Sequence, residues 1–332
     1  MQYTIFDKEK RLEKISKLGD ILEQLNAMVN WERFEPILNA AIPREISPKG
    51  GRPPFNNLLM FKILIIKRLY NLSFDQTEYQ INDRVSFTRF LGFDFGSVVP
   101  DAKTIWLYED LLSKSEAGKK LFDMFFREIE AKGYVTKEGS IVDASFIEAP
   151  RRKNTKEQRE KLKSGEVPEE WGDPKHPQKL AQRDTDASWA KKGDESHFGY
   201  KDHVKVDMDS KIIVNYNVTT ASTNDLKGAE GIFDESDKAA YGDSAYPDLS
   251  LPEGVENMIS EKARRNKPLT EEQKQGNHQK AKKRCRVEHV FAGMARMLGG
   301  TTVRCKNLKR ANFNISMLNL VYNMRRVLYL NA

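Results

Sequence analysis

The 332-residue chain predicts an α/β fold, a mixed sheet flanked by helices and preceded by an all-helical N-terminal region. Three observations lead there. Residues 1 to about 135 carry helix-type periodicity without a strand pattern. At Gly139 the period changes to two. Beyond it the order reads strand, hairpin, helix, strand, strand, long helix, helix, which suits a mixed sheet with a ligand site at its strand ends.

The helical segments are expected at about 8–27, 30–41, 54–70, 73–82, 85–91, 101–115 and 117–132. Pro43, the stretch Pro48-Lys-Gly-Gly-Arg-Pro-Pro54 and Gly92 punctuate them. Ser73-Phe-Asp-Gln76 fits a capping box, and Asp101 after Pro100 fits a cap. Short helices between 73 and 113 suggest a helix-turn-helix, with Lys103 and Thr104 near the start of a recognition helix. An ordinary helical bundle explains the pattern equally well.

In the second part, Ile141, Asp143 and Ser145 alternate with Val142, Ala144 and Phe146, a strand that sets Asp143 apart from the larger apolar residues. Residues 150–196 are charged and rich in turn formers, and read as an insertion with a short helix near 155–163. A hairpin pairs Phe198 to Met208 with Lys211 to Thr220. A helix near 225–233, strands at 238–242 and about 255–259, an irregular stretch at 261–279, and helices at about 280–298 and 308–330 complete the chain. The domain division is therefore 1–135 and 136–332.

Lys and Arg number 55 against 48 Asp and Glu, a net +7 that favours an anionic partner. The runs Arg151-Arg-Lys153, Arg264-Arg265 and Lys280-Ala-Lys-Lys-Arg-Cys-Arg286 concentrate that charge, and nucleic acid is the expected partner. Two cysteines, Cys285 and Cys305, offer no disulfide framework, and a reducing cytoplasm is expected. The five scattered histidines lack zinc-ligand spacing. No phosphate-binding G-x-x-x-x-G-K-[ST] loop occurs. The most apolar stretch, Phe55 to Tyr70, is interrupted by Lys62 and Lys67 and reads as a buried helix, so no membrane partner is expected.

The chemistry-bearing candidates are three acids. Asp143 lies in Ser140-Ile-Val-Asp-Ala-Ser-Phe146, where an uncompensated carboxylate is costly. Asp243 ends Ala239-Ala-Tyr-Gly-Asp243. Glu288 lies at the edge of the helical stripe Val287, Val290, Phe291, Met294, Met297, Leu298. Two strand-borne aspartates and a helix-borne glutamate suit two Mg²⁺ ions, with Mn²⁺ as a substitute. Such ions stabilise both the attacking and the leaving oxygen in phosphodiester chemistry. Arg284, one turn before Glu288, is placed to steady a phosphate or Glu288 itself. A turn aspartate at 243 and a surface Glu–Arg pair are the plainer readings.

These residues resemble the DDE transposases of bacterial insertion sequences, most closely the insertion-sequence-five family. The resemblance runs over Gly51-Arg-Pro-Pro-Phe through Phe90-Leu-Gly-Phe93, Ile141-Val-Asp-Ala-Ser, Asp186-Ala-Ser-Trp-Ala-Lys-Lys192 with Phe198-Gly-Tyr-Lys201, Tyr241-Gly-Asp-Ser-Ala-Tyr246, Arg284-Cys-Arg-Val-Glu-His-Val-Phe291 and Leu320-Val-Tyr-Asn-Met-Arg-Arg326. It implies an RNase H-like catalytic domain in 136–332, with Asp143, Asp243 and Glu288 as catalytic metal ligands. It also implies cut-and-paste chemistry on double-stranded DNA, the element ends and the target. Related elements carry Tyr, Arg, Glu and Lys at fixed spacing. Here Arg284 and Glu288 keep their places, but the Tyr position is Ala281 and the Lys position is Ala295. Lys282, Lys283, Arg286 and Arg296 are the cations available to grip the DNA instead.

Joining two ends implies a homodimer or higher oligomer on DNA, in a bacterial cytoplasm and associated with the nucleoid. Two other readings keep the fold: a DNA-binding regulator without catalysis, and a nuclease that cuts without joining. Trp171 and Trp189, in or beside the charged insertion, are read as packing residues, with base stacking as the alternative.

Overall fold

The computed structural model describes residues 5–43, 53–94, 96–151, 154–265 and 267–331. The chain divides into two compact units, Met1–Lys132 with Ser316–Ala332, and Gly133–Ile315. The sequence reading gave 316–332 to the catalytic domain; these residues instead cluster with the helical unit. Part of the stretch 48–54 and of the run 151–153 lies outside the described residues.

The first unit contains α1 (Ile5–Lys17), α2 (Ile21–Met28), a 3₁₀ turn (Trp31–Phe34), α3 (Glu35–Ala41), α4 (Asn57–Leu69), α5 (Phe74–Asp83), α6 (Val85–Leu91), α7 (Ala102–Lys114) and α8 (Ala117–Ala131). The single helix expected at 8–27 is two. Gly19 takes a left-handed conformation (φ +86°), and Asp20 caps α2 through the Leu22 N–H. The Asp20 carboxylate also receives Arg89 of α6 at 2.6 Å, which ties the break to the bundle. The predicted capping box at Ser73 and Gln76 and the cap at Asp101 both form.

α4 is buried along most of its length, yet it carries two lysines. Lys62 lies over the Phe90 ring at 4.4 Å, and burial lowers its pKa to about 8. Lys67 pairs with Glu109 at 2.7 Å and lies over Phe74. Each cation is thus compensated by a carboxylate or a ring face.

The second unit is built on a mixed sheet. Its elements are β1 (Ser140–Glu148), α9 (Lys156–Lys163), a 3₁₀ turn (Glu169–Trp171), α10 (Gln178–Ala181), β2 (Ser188–Lys192), β3 (Glu195–Asp207), β4 (Ile213–Thr220), α11 (Asp225–Gly228), β5 (Ala239–Tyr241), β6 (Glu256–Asn257), α12 (Glu271–Arg284) and α13 (Arg286–Leu298). The last helix, α14 (Leu308–Leu330), begins in this unit. Strands run β2-β3-β1-β5-β6, with β4 also on β3. β3 is antiparallel to β1, β2 and β4, whereas β5 is parallel to both β1 and β6. The expected hairpin is present as β3 and β4.

Period-two alternation gives β1 two faces. Val142 faces a core of Ala229, Ile232, Phe233, Ala240, Tyr246, Leu249 and Ile259. Asp143 belongs to the opposite set, and α13 packs against β1. Val287, Val290, Met294 and Leu298 are the buried stripe of α13.

Three sequence expectations are corrected. The stretch 261–279 is not irregular throughout, because α12 starts at Glu271 behind a capping box of Thr270 and Gln273. The helix expected at 280–298 is interrupted at Cys285, which separates α12 from α13. The charged insertion 150–196 ends in a sheet strand, β2, paired with the start of β3.

Candidate active site

Asp143 sits at the middle of β1, opposite Val204 of β3. On its other side β5 runs parallel to β1, with Ser140 against Ala240 and Ile141 against Tyr241. Carried on two residues past the end of β5, that register sets Asp243 beside Asp143. Gly242 supports this approach, because a Cβ there would come within 3.2 Å of Val142 and 3.4 Å of the Tyr246 ring. The Asp243 carboxylate then accepts the Ala245 N–H at 2.7 Å and closes a turn.

The electrostatics follow from this crowding. Burial raises the Asp143 pKa to about 6. The Ala144 N–H, which donates to Oδ1 at 2.8 Å, and the Arg284 guanidinium pull it down, as does Lys192 at the end of β2, while Asp243 pushes it up. Desolvation wins over its counter-charges, a balance that occurs where charge is held ready for a partner.

Glu288 lies in the first turn of α13 with its side chain 65% exposed. It reaches Asp143 only through Arg284, whose guanidinium is 3.3 Å from Asp143 Oδ2 and 3.8 Å from Glu288 Oε1. The aspartates are therefore neighbours, and the glutamate stands across an arginine from them. Among the described residues, no three His, Cys, Asp or Glu side chains converge closely enough to hold a metal ion.

The other predicted cations are dispersed. Lys283 donates to the Tyr241 hydroxyl at 3.1 Å and Lys282 is exposed. Arg286 is engaged at the β3–β4 turn, by the Met208 carbonyl (3.0 Å) and Asp209 (2.9 Å). Arg296 is exposed on α13, eight residues and about 12 Å of helix axis beyond Glu288. Lys103 and Thr104 belong to the other unit. Lys103 is exposed, and Thr104 gives its N–H to the capping Asp101 at 2.7 Å.

Trp171 is buried beneath the Arg183 guanidinium, a packing residue as expected. Trp189 packs on Phe198 and Arg151 but stays 45% exposed. Cys285 is exposed and Cys305 partly so.

A transposase DDE domain model matches residues 135–324, and a second transposase domain model (DUF772) matches residues 10–110. The chain belongs to the DDE transposases. No solved structure matches it. In this transposase two residues near the acids escaped sequence reasoning. Lys192 closes the motif Asp186 to Lys192 without any feature that marks it as an electrostatic partner of Asp143. Tyr246 is 1% exposed, and its hydroxyl has no hydrogen-bond partner among the described residues. Burial and the negative charges of Asp143, Asp225 and Asp243 raise its pKa, so it remains a phenol with a proton to donate. Its only signal was its place at the end of Tyr241-Gly-Asp-Ser-Ala-Tyr246.

Proposed function

We propose that this transposase cuts DNA at the ends of its element and transfers the 3′-hydroxyl ends to target DNA, with Asp143, Asp243 and Glu288 as its catalytic acids. The observation that carries the reading is the parallel β1–β5 register, which, carried two residues on, sets Asp243 past the end of β5 beside Asp143 in the middle of β1. The strand arrangement, antiparallel on one side of β1 and parallel on the other, supports an RNase H-like catalytic domain. The motifs Tyr241–Tyr246 and Arg284–Phe291 support a place in the insertion-sequence-five family.

The donor set fits Mg²⁺, because it offers carboxylate oxygens and leaves room for water and phosphate. Asp143 and Asp243 would hold the ion, and Glu288 would join once Arg284 lets go of Asp143. Bound there, divalent ions supply Lewis-acid stabilisation of the attacking and leaving oxygens. The chain's own residues do the rest. Arg284 passes from Asp143 to the scissile phosphate, exchanging a carboxylate for another oxyanion. Tyr246 supports the Asp243 turn, with its backbone N–H on the Asp243 carbonyl at 3.2 Å, and its phenol stays protonated. Lys282 and Lys283 hold the flanking backbone. The helical unit, through Lys103 and Thr104 at the start of α7, reads the terminal inverted repeats in our proposal, with α5 to α7 as the helix-turn-helix. Two ends joined in one reaction call for a dimer or higher oligomer on DNA. A DNA substrate places the reaction at the nucleoid, and no helix among the described residues is long and apolar enough to cross a membrane.

The test is cleavage of a labelled duplex carrying the element end, in Mg²⁺ or EDTA, by wild type and by Asp143→Asn, Asp243→Asn and Glu288→Gln. Mg²⁺-dependent cleavage lost in all three, with DNA binding kept, is expected. Cleavage that survives in any one variant removes that residue from the site. Binding without cleavage by wild type makes the chain a regulator, and cleavage without joined product makes it a nuclease.

A further inference from the structure

We infer that a basic groove beside the acids, between the segment after β6 and helix α12, is a track for the DNA backbone that flanks the scissile phosphate. This rests on DNA being the substrate. The groove encloses about 480 Å³ and includes Lys262, Arg264, Lys267 and Lys280 in its walls. None of these residues entered the site as read from the acids.

The backbone explains why the groove leads to the active site. β6 extends past its last paired residue, with the Met258 N–H on the Ala240 carbonyl (2.9 Å) and the Ser260 N–H on the Gly242 carbonyl (3.1 Å). Ser260 is thereby hydrogen-bonded to the residue just before Asp243. From Ser260 the chain enters the groove wall. On the opposite wall, Lys280 donates to the Ile259 carbonyl at 3.0 Å. One helical turn further along α12, Arg284 meets Asp143. Lys280 at the groove and Arg284 at Asp143 are thus one helical turn apart on α12, which joins the groove to the carboxylates.

The wall is built to hold like charges together. Arg264 and Lys267 exchange backbone hydrogen bonds in both directions, at 3.2 and 2.9 Å, as an antiparallel bridge. Like charges on directly opposed residues are unfavourable unless an anion lies between them. The one acid in the wall, Glu261, is held by two amides of α12 and, among the described residues, by none of the groove's cations. Its carboxylate accepts from Gln273 and its carbonyl from Asn277. Lys262, Arg264 and Lys267 are exposed and have no ion-pair partner among the described residues. Several unneutralised cations in an open, polar groove suit a chain of phosphates better than one small anion.

The experiment measures binding of a short labelled duplex of arbitrary sequence by fluorescence anisotropy across a series of KCl concentrations, in EDTA to prevent cleavage. The groove variant is Lys262→Gln/Arg264→Gln/Lys267→Gln. Each phosphate contact contributes about 0.9 to the slope of log K against log salt. The groove variant should therefore have a slope shallower by up to about 2.7, from three contacts at about 0.9 each. A charge-conserving triple, Lys262→Arg/Arg264→Lys/Lys267→Arg, should keep the wild-type slope, and circular dichroism should show all variants folded. A triple of equal charge on α9, Lys156→Gln/Arg159→Gln/Lys161→Gln, should change the slope less. A groove variant with the wild-type slope, or α9 and groove triples with equal losses, would overturn the inference while wild-type binding upholds the DNA reading. Wild type without salt-dependent binding would instead sink that reading itself.

Discussion

Replacing Asp143 by Asn should abolish cleavage and yet make the metal-free protein more stable at neutral pH. The folded-state pKa of Asp143 is about 6, against 3.8 for an ordinary aspartate. That difference, 6 − 3.8, is about 2.2, and at 1.36 kcal/mol per pH unit it amounts to about 3 kcal/mol. The sign is set by the direction of the shift. A carboxyl whose pKa is raised on folding favours the folded state fully below about pH 3.8, where both states are protonated. Stability falls as pH rises from there towards 6, and above 6 the wild type has lost that amount, about 3 kcal/mol, relative to the acid limit. Asparagine keeps an oxygen for the Ala144 N–H and never ionises. In EDTA at about pH 7.5, Asp143→Asn should therefore exceed wild type by up to about 3 kcal/mol, or roughly 6–12 °C in the melting midpoint of a unit this size. The gain should vanish below about pH 4, and added Mg²⁺ should stabilise wild type but not the variant. Urea and thermal unfolding across this pH range measure it. A variant no more stable than wild type at neutral pH would refute the reasoning, and so would a gain that persists unchanged in acid.

Arg284→Gln removes a guanidinium that holds Asp143 down, so Asp143 should titrate higher; the rising limb of a cleavage–pH profile would move to higher pH. Lys205→Met should cost about 3–5 kcal/mol in urea unfolding, because the fully buried Lys205 ammonium lies 2.7 Å from the equally buried Asp237, which would be left unpaired. Gly228→Ala would place a methyl group on the His203 ring, whose Nε2 is bonded to Thr219 at 2.8 Å. About 1–3 kcal/mol should be lost, and much less in a chain that also carries His203→Ala, as a double-mutant cycle would show.

Sequence made the candidate acids visible because each lay in a patterned segment. Asp143 interrupts an alternating strand, and Glu288 borders an apolar stripe whose buried members are as expected. What sequence could not supply was the register. β5 has three residues, and nothing local in Ala239 to Tyr241 says which strand it joins or in which direction. The pairing of Ile141 with Tyr241, which makes neighbours of residues one hundred apart, is a tertiary outcome. The first part of α12, up to residue 279, was missed for a different reason. Its surface is polar all round and none of its residues is buried, so periodicity is silent, and only the capping box at Thr270 announces it. β2 was hidden in the same way, since Ser188 to Lys192 is mostly exposed and charged and takes its form from pairing with β3.

The break at Cys285 bears most directly on how the site works. Arg284 is the last residue of α12, and Glu288 lies in the first turn of α13, so the two ends of one charge pair belong to two helices. Their separation is 3.8 Å and Glu288 is largely exposed, a pairing worth no more than about 1 kcal/mol. The contact of Arg284 with Asp143 is shorter and both side chains are mostly buried, so it is the stronger hold. Two aspartates side by side repel each other in a partly dry site, and Arg284, ahead of Lys192, offsets this without metal. A phosphate offers that guanidinium a better-matched partner than a single carboxylate oxygen at 3.3 Å. If Arg284 takes it, Asp143 loses the guanidinium nearest to it, and the aspartate pair gains affinity for a divalent cation. Substrate and metal would then favour each other's binding through one side chain, with Glu288 released to complete the site.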